Sequence, residues 1–283
     1  MFKILSKRML NDAGTTLELV IDAPLVARHC LPGQFIILRL DEQGERIPLT
    51  IADYDRERGT VTIMVQPVGQ TTKMLALMEE GDCLADFVGP LGKPTEMEGL
   101  RRVAVVGGGV GCAIAYPVAK GMHEKGIEVD MIAGFRSKDI VMLEPEMKAG
   151  STNLYITTDD GSYGWKGFTT QKLEELIASG REYDEVCAIG PAVMMKFVCE
   201  VTRAKGIKTV VSLNPIMIDG TGMCGCCRVT VGGETKFACV DGPEFDGHQV
   251  DWDELIRRNN IYKEEEAEAN EHVCRITGGV RHG

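Results

Sequence analysis

The run Asp219-Gly-Thr-Gly-Met-Cys224-Gly-Cys226-Cys227, with Cys239 following, holds the side chains best suited to chemistry in this chain. Read from Cys224 the spacing is C-x2-C-x11-C, and four residues separate Asp219 from Cys224. A plant-type [2Fe–2S] loop reads C-x4-C-x2-C with a distant fourth cysteine. The pattern is therefore complete if Asp219 stands where the first thiolate belongs. Interleaved glycines let such a loop turn tightly and aim backbone N–H groups at cluster sulfurs. A structural zinc site also uses a C-x2-C knuckle and four ligands, but it normally brings a second knuckle or a paired His. None follows here. Cys226 lies between two proposed ligands and is not assigned as one. The spacing implies electron transfer.

A second set of residues could hold a nucleotide. Val103-Ala-Val-Val-Gly107-Gly108-Gly109-Val-Gly111-Cys112 is an apolar strand entering a glycine-rich turn and then a helix. N–H groups at such a helix start can hold a pyrophosphate. Cys112 stands where the dinucleotide fingerprint has its third glycine or alanine. The next strand ends Gly134-Phe135-Arg136-Ser137, with no acid for a ribose 2′-OH, while Arg136 could face a 2′-phosphate. Two further loops, Thr157-Thr158-Asp159-Asp160-Gly161-Ser162 and Gly190-Pro191-Ala192-Val-Met194, follow strands at the sheet edge where α/β folds bind ligands. Both are also ordinary turn compositions.

In the N-terminal half, Arg46-Ile-Pro48-Leu49-Thr50-Ile51 puts a cation, a rigid proline and a hydroxyl in one short extended run. A flavin needs an arginine for its pyrophosphate, a flat packing surface, and a hydroxyl or N–H near N5. Gly69-Gln70-Thr71-Thr72 opens a helix with groups suited to the same pyrophosphate. Out of context, Arg46 reads as a surface residue and Thr71 as a helix cap.

These groups need two kinds of scaffold. Up to residue 97, short alternating segments such as Thr16–Ile21, Gln34–Leu40 and Gly59–Val65 are broken by turns, as in a small antiparallel barrel. One helix, 72–80, interrupts it. From about 98 to 205 strands alternate with helices, strands being expected at Arg102–Gly107, Glu128–Phe135, Asn153–Thr158 and Glu185–Ile189. This rhythm means a parallel sheet with crossover helices. The cysteine segment takes 206–250, and 251–283 forms an acidic tail whose run of Glu264, Glu265 and Glu266 reads as a solvated helix face. The expected fold is a β barrel plus an α/β domain with a C-terminal iron–sulfur segment. The net charge of −11 argues against nucleic-acid or anionic-membrane binding. No apolar run is long enough to span a bilayer and no signal segment is evident, so a cytoplasmic protein is expected. Ten cysteines then point to ligands rather than disulfides. Cys30, Cys83, Cys112, Cys187, Cys199 and Cys274 are expected to be small buried side chains.

The order of these motifs, R-x-P-L-T and G-x-T-T, then GGGxG, TDDGS and GP-x-x-M, then the cysteine loop, resembles the ferredoxin–NADP reductase superfamily. Within it the chain is similar to the electron-transfer subunits of dihydroorotate dehydrogenase. It is similar too to the small subunits of NADH-dependent reduced ferredoxin:NADP oxidoreductase, also known as sulfide dehydrogenase subunits. Dihydroorotate-type subunits use four cysteines, whereas the second group resembles this chain in using Asp plus three Cys. The resemblance implies FAD held by Arg46, Pro48, Leu49 and Thr50, with Val65 and Gln66 beside them and Gly69, Thr71 and Thr72 on the phosphate side. It implies NAD(H) at Gly108, Gly109, Gly111, Asp160, Gly161, Gly190 and Pro191. It implies a [2Fe–2S] cluster on Asp219, Cys224, Cys227 and Cys239. Arg136 argues physically for NADP, whereas the family's small subunit uses NADH. The implied partner is a larger flavin and iron–sulfur subunit, with ferredoxin reached through the complex. A dihydroorotate dehydrogenase subunit is one alternative, and a zinc-stabilised nucleotide-binding regulator without redox activity is another. The Arg46 side chain is expected to be remote from the cysteine segment.

Overall fold

The computed structural model describes residues 1–276; residues 277–283, into which the expected acidic tail extends, and the side chain of Cys274 lie outside that description. The N-terminal part is a seven-stranded antiparallel barrel of β1 (Phe2–Met9), β2 (Leu17–Asp22), β3 (Phe35–Arg39), β4 (Ile47–Asp55), β5 (Thr60–Val65), β6 (Cys83–Leu84) and β7 (Asp86–Leu91). Their order is β6-β1-β2-β5-β4-β3-β7. Alternation drives it: Leu17, Leu19 and Ile21 of β2 and Val61, Ile63 and Val65 of β5 point into one buried core. Two helices cover openings, α1 (Pro24–His29) and α2 (Gln70–Leu77). The first was not expected. Six residues are too few to show helical periodicity, although Pro24 at its start is a helix-opening signal. The second begins and ends earlier than the expected 72–80, because Met78 is already extended.

The next sheet runs β8 (Arg102–Gly108), β9 (Glu128–Phe135), β10 (Asn153–Thr158), β11 (Trp165–Lys166), β12 (Glu185–Ile189) and β13 (Lys208–Ser212), joined through α3 (Gly111–Glu124), α4 (Glu144–Ala149), α5 (Thr169–Ala178) and α6 (Ala192–Arg203). Its parallel part is ordered β11-β10-β9-β8-β12-β13. Val103 and Val105 pack on the α3 side, Ala104 and Val106 on the α5 and α6 side. Burial on both faces explains why these strands read as unbroken apolar runs. The chain then leaves the sheet through the cysteine loop, the hairpin β14 (Arg228–Val231) and β15 (Glu234–Phe237), and α7 (Ala238–Asp241). It returns as β16 (Glu244–Asp246), antiparallel to β13 at the sheet edge. The cysteine segment is thus an excursion between two neighbouring strands. Helices α8 (Trp252–Asn259) and α9 (Lys263–Ile276) follow, and Glu264, Glu265 and Glu266 are exposed. Among the described residues, no helix is long and apolar enough to cross a membrane. Cys30, Cys112, Cys187 and Cys199 are buried as expected, but Cys83 is only partly so, because β6 lies at the barrel edge.

Candidate functional site

Register along the parallel sheet collects the expected nucleotide residues at one edge. Gly107 pairs with Ile189, Gly108 with Gly134, and Thr158 with Phe135, so the loops after β8, β9, β10 and β12 emerge side by side. The strand order reverses at β8, between β9 and β12, which is where such sheets open a crevice. Gly111 lies so close to the β12 loop that a Cβ there would sit 2.5 Å from Ile189 O and 2.7 Å from Gly190 Cα. The Met194 side chain, which follows Pro191 on α6, reaches over Gly108 and Gly190. Asp160 and Gly161 stand in the loop after β10. Asp160 accepts from the Ser162 N–H at 2.9 Å and the Ser162 hydroxyl at 2.7 Å, and the hydroxyl's bond leads in holding its carboxyl below the usual range. Arg136 is exposed at the end of β9, with Asp159 beside it; burial pushes the Asp159 carboxyl up and Arg136 opposes that.

On the barrel, Pro48, Leu49 and Thr50 form a half-buried stretch of β4, and Val65 ends the adjacent β5 next to Gln66. Gly69 caps α2 without a side chain. The Thr72 hydroxyl completes the cap by accepting the N–H groups of Val68 at 3.1 Å and Gly69 at 3.0 Å. The Thr71 hydroxyl instead donates to the Glu45 carboxylate, so Thr71 is not the cap. Glu45 had no signal in the sequence beyond preceding Arg46. The expectation that Arg46 is remote from the cysteine segment is wrong. Its Nε donates to Ile218 O at 2.9 Å, one residue before Asp219, and its Nη1 lies 3.8 Å from Asp86. The cause is tertiary: the cysteine segment folds back onto β3 and β7, where Phe35, Ile37 and Leu91 pack with Met217, Cys227 and Cys239.

Within the cysteine loop the four expected donors fall into two pairs. The Cys227 and Cys239 sulfurs are 3.2 Å apart and only 2% and 1% exposed, and Cys224 Sγ lies 3.4 Å from Asp219 Oδ1 at the surface. Among the described residues, no three His, Cys, Asp or Glu side chains converge on a single ion position. Burial, reinforced by the Cys227 sulfur, pushes the Cys239 thiol up to about 12, so a bound metal would have to displace its proton. Asp219 accepts from the N–H groups of Thr221, Met223 and Cys224 at 3.0–3.1 Å and from the Thr221 hydroxyl at 3.2 Å. Burial pushes its carboxyl up, but these bonds outweigh it and hold the group below the usual range. Asp219 is therefore both a turn cap and a neighbour of Cys224. Gly220 has a φ of 78°, and a Cβ there would lie 2.7 Å from both Ile37 Cδ1 and Leu91 Cδ1. Soft thiolates beside one hard carboxylate, seated on an apolar strand, suit an iron–sulfur centre.

Residues 214–251 match the iron–sulfur cluster binding domain of dihydroorotate dehydrogenase B. The chain is 48% identical over 271 residues to a dihydroorotate dehydrogenase B (NAD(+)) electron transfer subunit homolog of Thermotoga maritima, covering 96% of this chain and 95% of that one. It is 35% identical to the electron transfer subunit of Geobacillus thermodenitrificans, covering 87% and 96%. A solved chain from work on flavin-based electron bifurcation by the NADH-dependent reduced ferredoxin-NADP oxidoreductase superposes with a TM-score of 0.89 at 46% identity, over 96% of this chain and 97% of that one. An Amycolatopsis cytochrome P450 reductase, at 21% identity and a TM-score of 0.60 over 72% of this chain and 65% of that one, shares the fold. With its flavin-reductase barrel, its parallel sheet and its iron–sulfur segment, the chain belongs to the family of the dihydroorotate dehydrogenase B electron-transfer subunits and their homologues, which are oxidoreductase subunits.

Proposed function

We infer that this chain exchanges hydride between NAD(H) and FAD and passes electrons singly through a [2Fe–2S] cluster to a larger flavin and iron–sulfur subunit. The assembly is of the NADH-dependent reduced ferredoxin:NADP oxidoreductase type, with ferredoxin reached through the complex. In this reading residues 1–97 hold the flavin, 98–205 the nicotinamide nucleotide and 206–250 the cluster, with Lys208–Ser212 and Glu244–Asp246 built into the parallel sheet; 251–283 is an acidic tail. When bound, the cofactors supply hydride acceptance, the change from electron pairs to single electrons, and their relay.

The protein's own groups bind and orient. Arg46 and the start of α2 face the flavin pyrophosphate, while Pro48, Leu49, Thr50, Val65 and Gln66 line its ring. Gly108, Gly109, Gly111, Asp160, Gly161, Gly190 and Pro191 hold the nicotinamide nucleotide at the sheet edge. Asp219, Cys224, Cys227 and Cys239 hold the cluster, and their division into two close pairs is the observation that carries the reading. A single metal ion wants four convergent donors, whereas a two-iron cluster wants one pair at each iron. The match to a relative studied for electron bifurcation over nearly the whole chain supports the narrower assignment.

Anaerobic titration of the purified protein with NADH and with NADPH tests it. NADH should bleach the flavin and bring up the cluster's EPR signal at lower concentration than NADPH. A colourless protein containing zinc overturns the reading. Co-purification with a dihydroorotate-oxidising subunit would move the chain to the alternative within the family.

A further inference from the structure

We propose that Arg46 is a positioning residue for the cluster loop as well as a flavin-binding group, so that one guanidinium ties the two cofactor sites together. The inference rests on the functional reading above and deepens it. Arg46 immediately precedes β4, the strand assigned to the flavin. Its Nε hydrogen bond to Ile218 O, at 2.9 Å, reaches across 172 residues of sequence to the peptide that leads into Asp219. On one side the guanidinium is oriented by Asp86, which itself accepts from Arg39 Nε at 2.6 Å. A guanidinium carries five N–H donors in a rigid plane. The bond to Ile218 uses one of them and the approach to Asp86 engages one nitrogen at the other end, which leaves donors for a phosphate.

Met217, just ahead of Ile218, packs into the apolar cluster with Phe35 and Ile37, and the polar anchor that follows it is the Arg46 bond to Ile218 O. Ile218 is exposed, and among the described residues the Asp219 carboxylate bonds to groups of its own loop, Thr221, Met223 and Cys224. Between Met217 and the buried Cys227 and Cys239, which pack with Phe35, Ile37 and Leu91, the loop also touches the barrel through Gly220 against Ile37 and Leu91. Arg46 and Gly220, which flank Asp219, thus clamp this end of the loop and set where the Asp219 and Cys224 pair stands against the buried Cys227 and Cys239 pair. Loosening either point should move the carboxylate relative to the thiolates, and hence alter the environment of the iron it faces. The flavin side gains in return: a guanidinium already anchored to Ile218 loses less freedom when it binds a phosphate.

The experiment uses the full chain purified with flavin and cluster, and reloaded with excess FAD. Arg46→Lys keeps a positive charge but loses the planar fork. It should shift the cluster's EPR spectrum and speed iron release to a chelator about fivefold, the effect of one hydrogen bond. Gly220→Ala perturbs the other clamp point without touching a flavin-assigned residue. It should also shift the spectrum and speed iron release while FAD content stays at the wild-type level. Wild-type EPR and iron release in Arg46→Lys, with Gly220→Ala altered, would overturn the role of Arg46. Wild-type behaviour of both variants would overturn the clamp. Failure of the functional reading looks different, since wild-type protein would then carry no flavin or no cluster.

Discussion

At the C-terminal edge of the parallel sheet, the loops after β8 and β12 touch through backbone atoms, and Gly111 leaves no room for a methyl group between itself and Ile189. In the cysteine loop the close contacts are between side chains, Cys227 with Cys239 and Cys224 with Asp219, and the carboxylate also caps its own loop. The first site is made largely by the register of four neighbouring strands, β10, β9, β8 and β12, and is intolerant of added bulk. The second depends on which donor atoms it carries. A backbone-built site should fail by overpacking and a side-chain-built site by loss or exchange of a donor.

Gly111→Ala presses hardest on this contrast. The new Cβ would push the β12 loop away, destabilising the fold by about 1–3 kcal/mol and slowing flavin reduction by NADH about a hundredfold through misplacement. Stopped-flow reduction and urea unfolding measure both, and the cluster's EPR spectrum should not move. A variant with wild-type reduction kinetics would show that the crevice is not where the nucleotide binds.

Between the two regions lies a seam with a different sensitivity. The Thr95 hydroxyl donates to Glu244 Oε1 at 2.7 Å, tying the segment after the barrel to β16. Burial is the main cause that pushes the Glu244 carboxyl from an ordinary value of 4.5 up to about 7, with the Glu185 charge adding to it and Thr95 opposing. A carboxyl raised in the folded state favours folding while it keeps its proton. That stability is fully present below the unfolded value and is lost as pH rises through the folded one. Glu244→Gln, which can still accept from Thr95, should therefore raise stability by on the order of 3 kcal/mol at about pH 8 and change little at about pH 4. Equal gains at both pH values would mean that ionisation of Glu244 is not the cause.

The donor-built loop is tested by exchange. Asp219→Cys should give an assembled cluster with an altered EPR spectrum and midpoint potential, because ligand identity sets both. Cys226→Ser should leave the spectrum nearly unchanged. An unaltered spectrum in the first variant with cluster loss in the second would make Asp219 only a turn cap and Cys226 the fourth ligand. Smallest of all should be the joint change of Glu264, Glu265 and Glu266 to Gln. These exposed side chains should shift stability by no more than about 0.5 kcal/mol, with flavin and iron contents unchanged.

The strands Glu128–Phe135, Asn153–Thr158 and Glu185–Ile189 were legible to the residue; in the first and last the apolar stretch stops where the strand does, while the middle one ends in the buried Thr157 and Thr158. The barrel strands β2, β3 and β5 were legible to within a residue at each end, since alternation marks a strand but not its last hydrogen bond, whereas β1, β6 and β7 were not expected. β4 ran four residues past the expected extended run, which ended at Ile51. β13 and β16 were missed as members of the parallel sheet. Both are short and lie on either side of the cysteine excursion, and their pairing to each other is long-range. The Glu45 contact with Thr71 and the reach of Met194 over Gly108 had no separate signal, because each depends on two loops arriving at one place.

Local chemistry determined what each segment of this chain could do. The spacing of Asp219, Cys224, Cys227 and Cys239, the glycines after β8 and the Arg46–Thr50 run all act over a few residues, and such spacings survive any arrangement of the rest. Only the tertiary structure decided which of these segments meet. Sheet register brings Gly108, Asp160 and Gly190 to one edge, and the fold-back of the cysteine loop onto β3 and β7 sets Ile218 against Arg46. Those meetings depend on apolar burial summed over the whole barrel and sheet, which no short stretch of sequence contains.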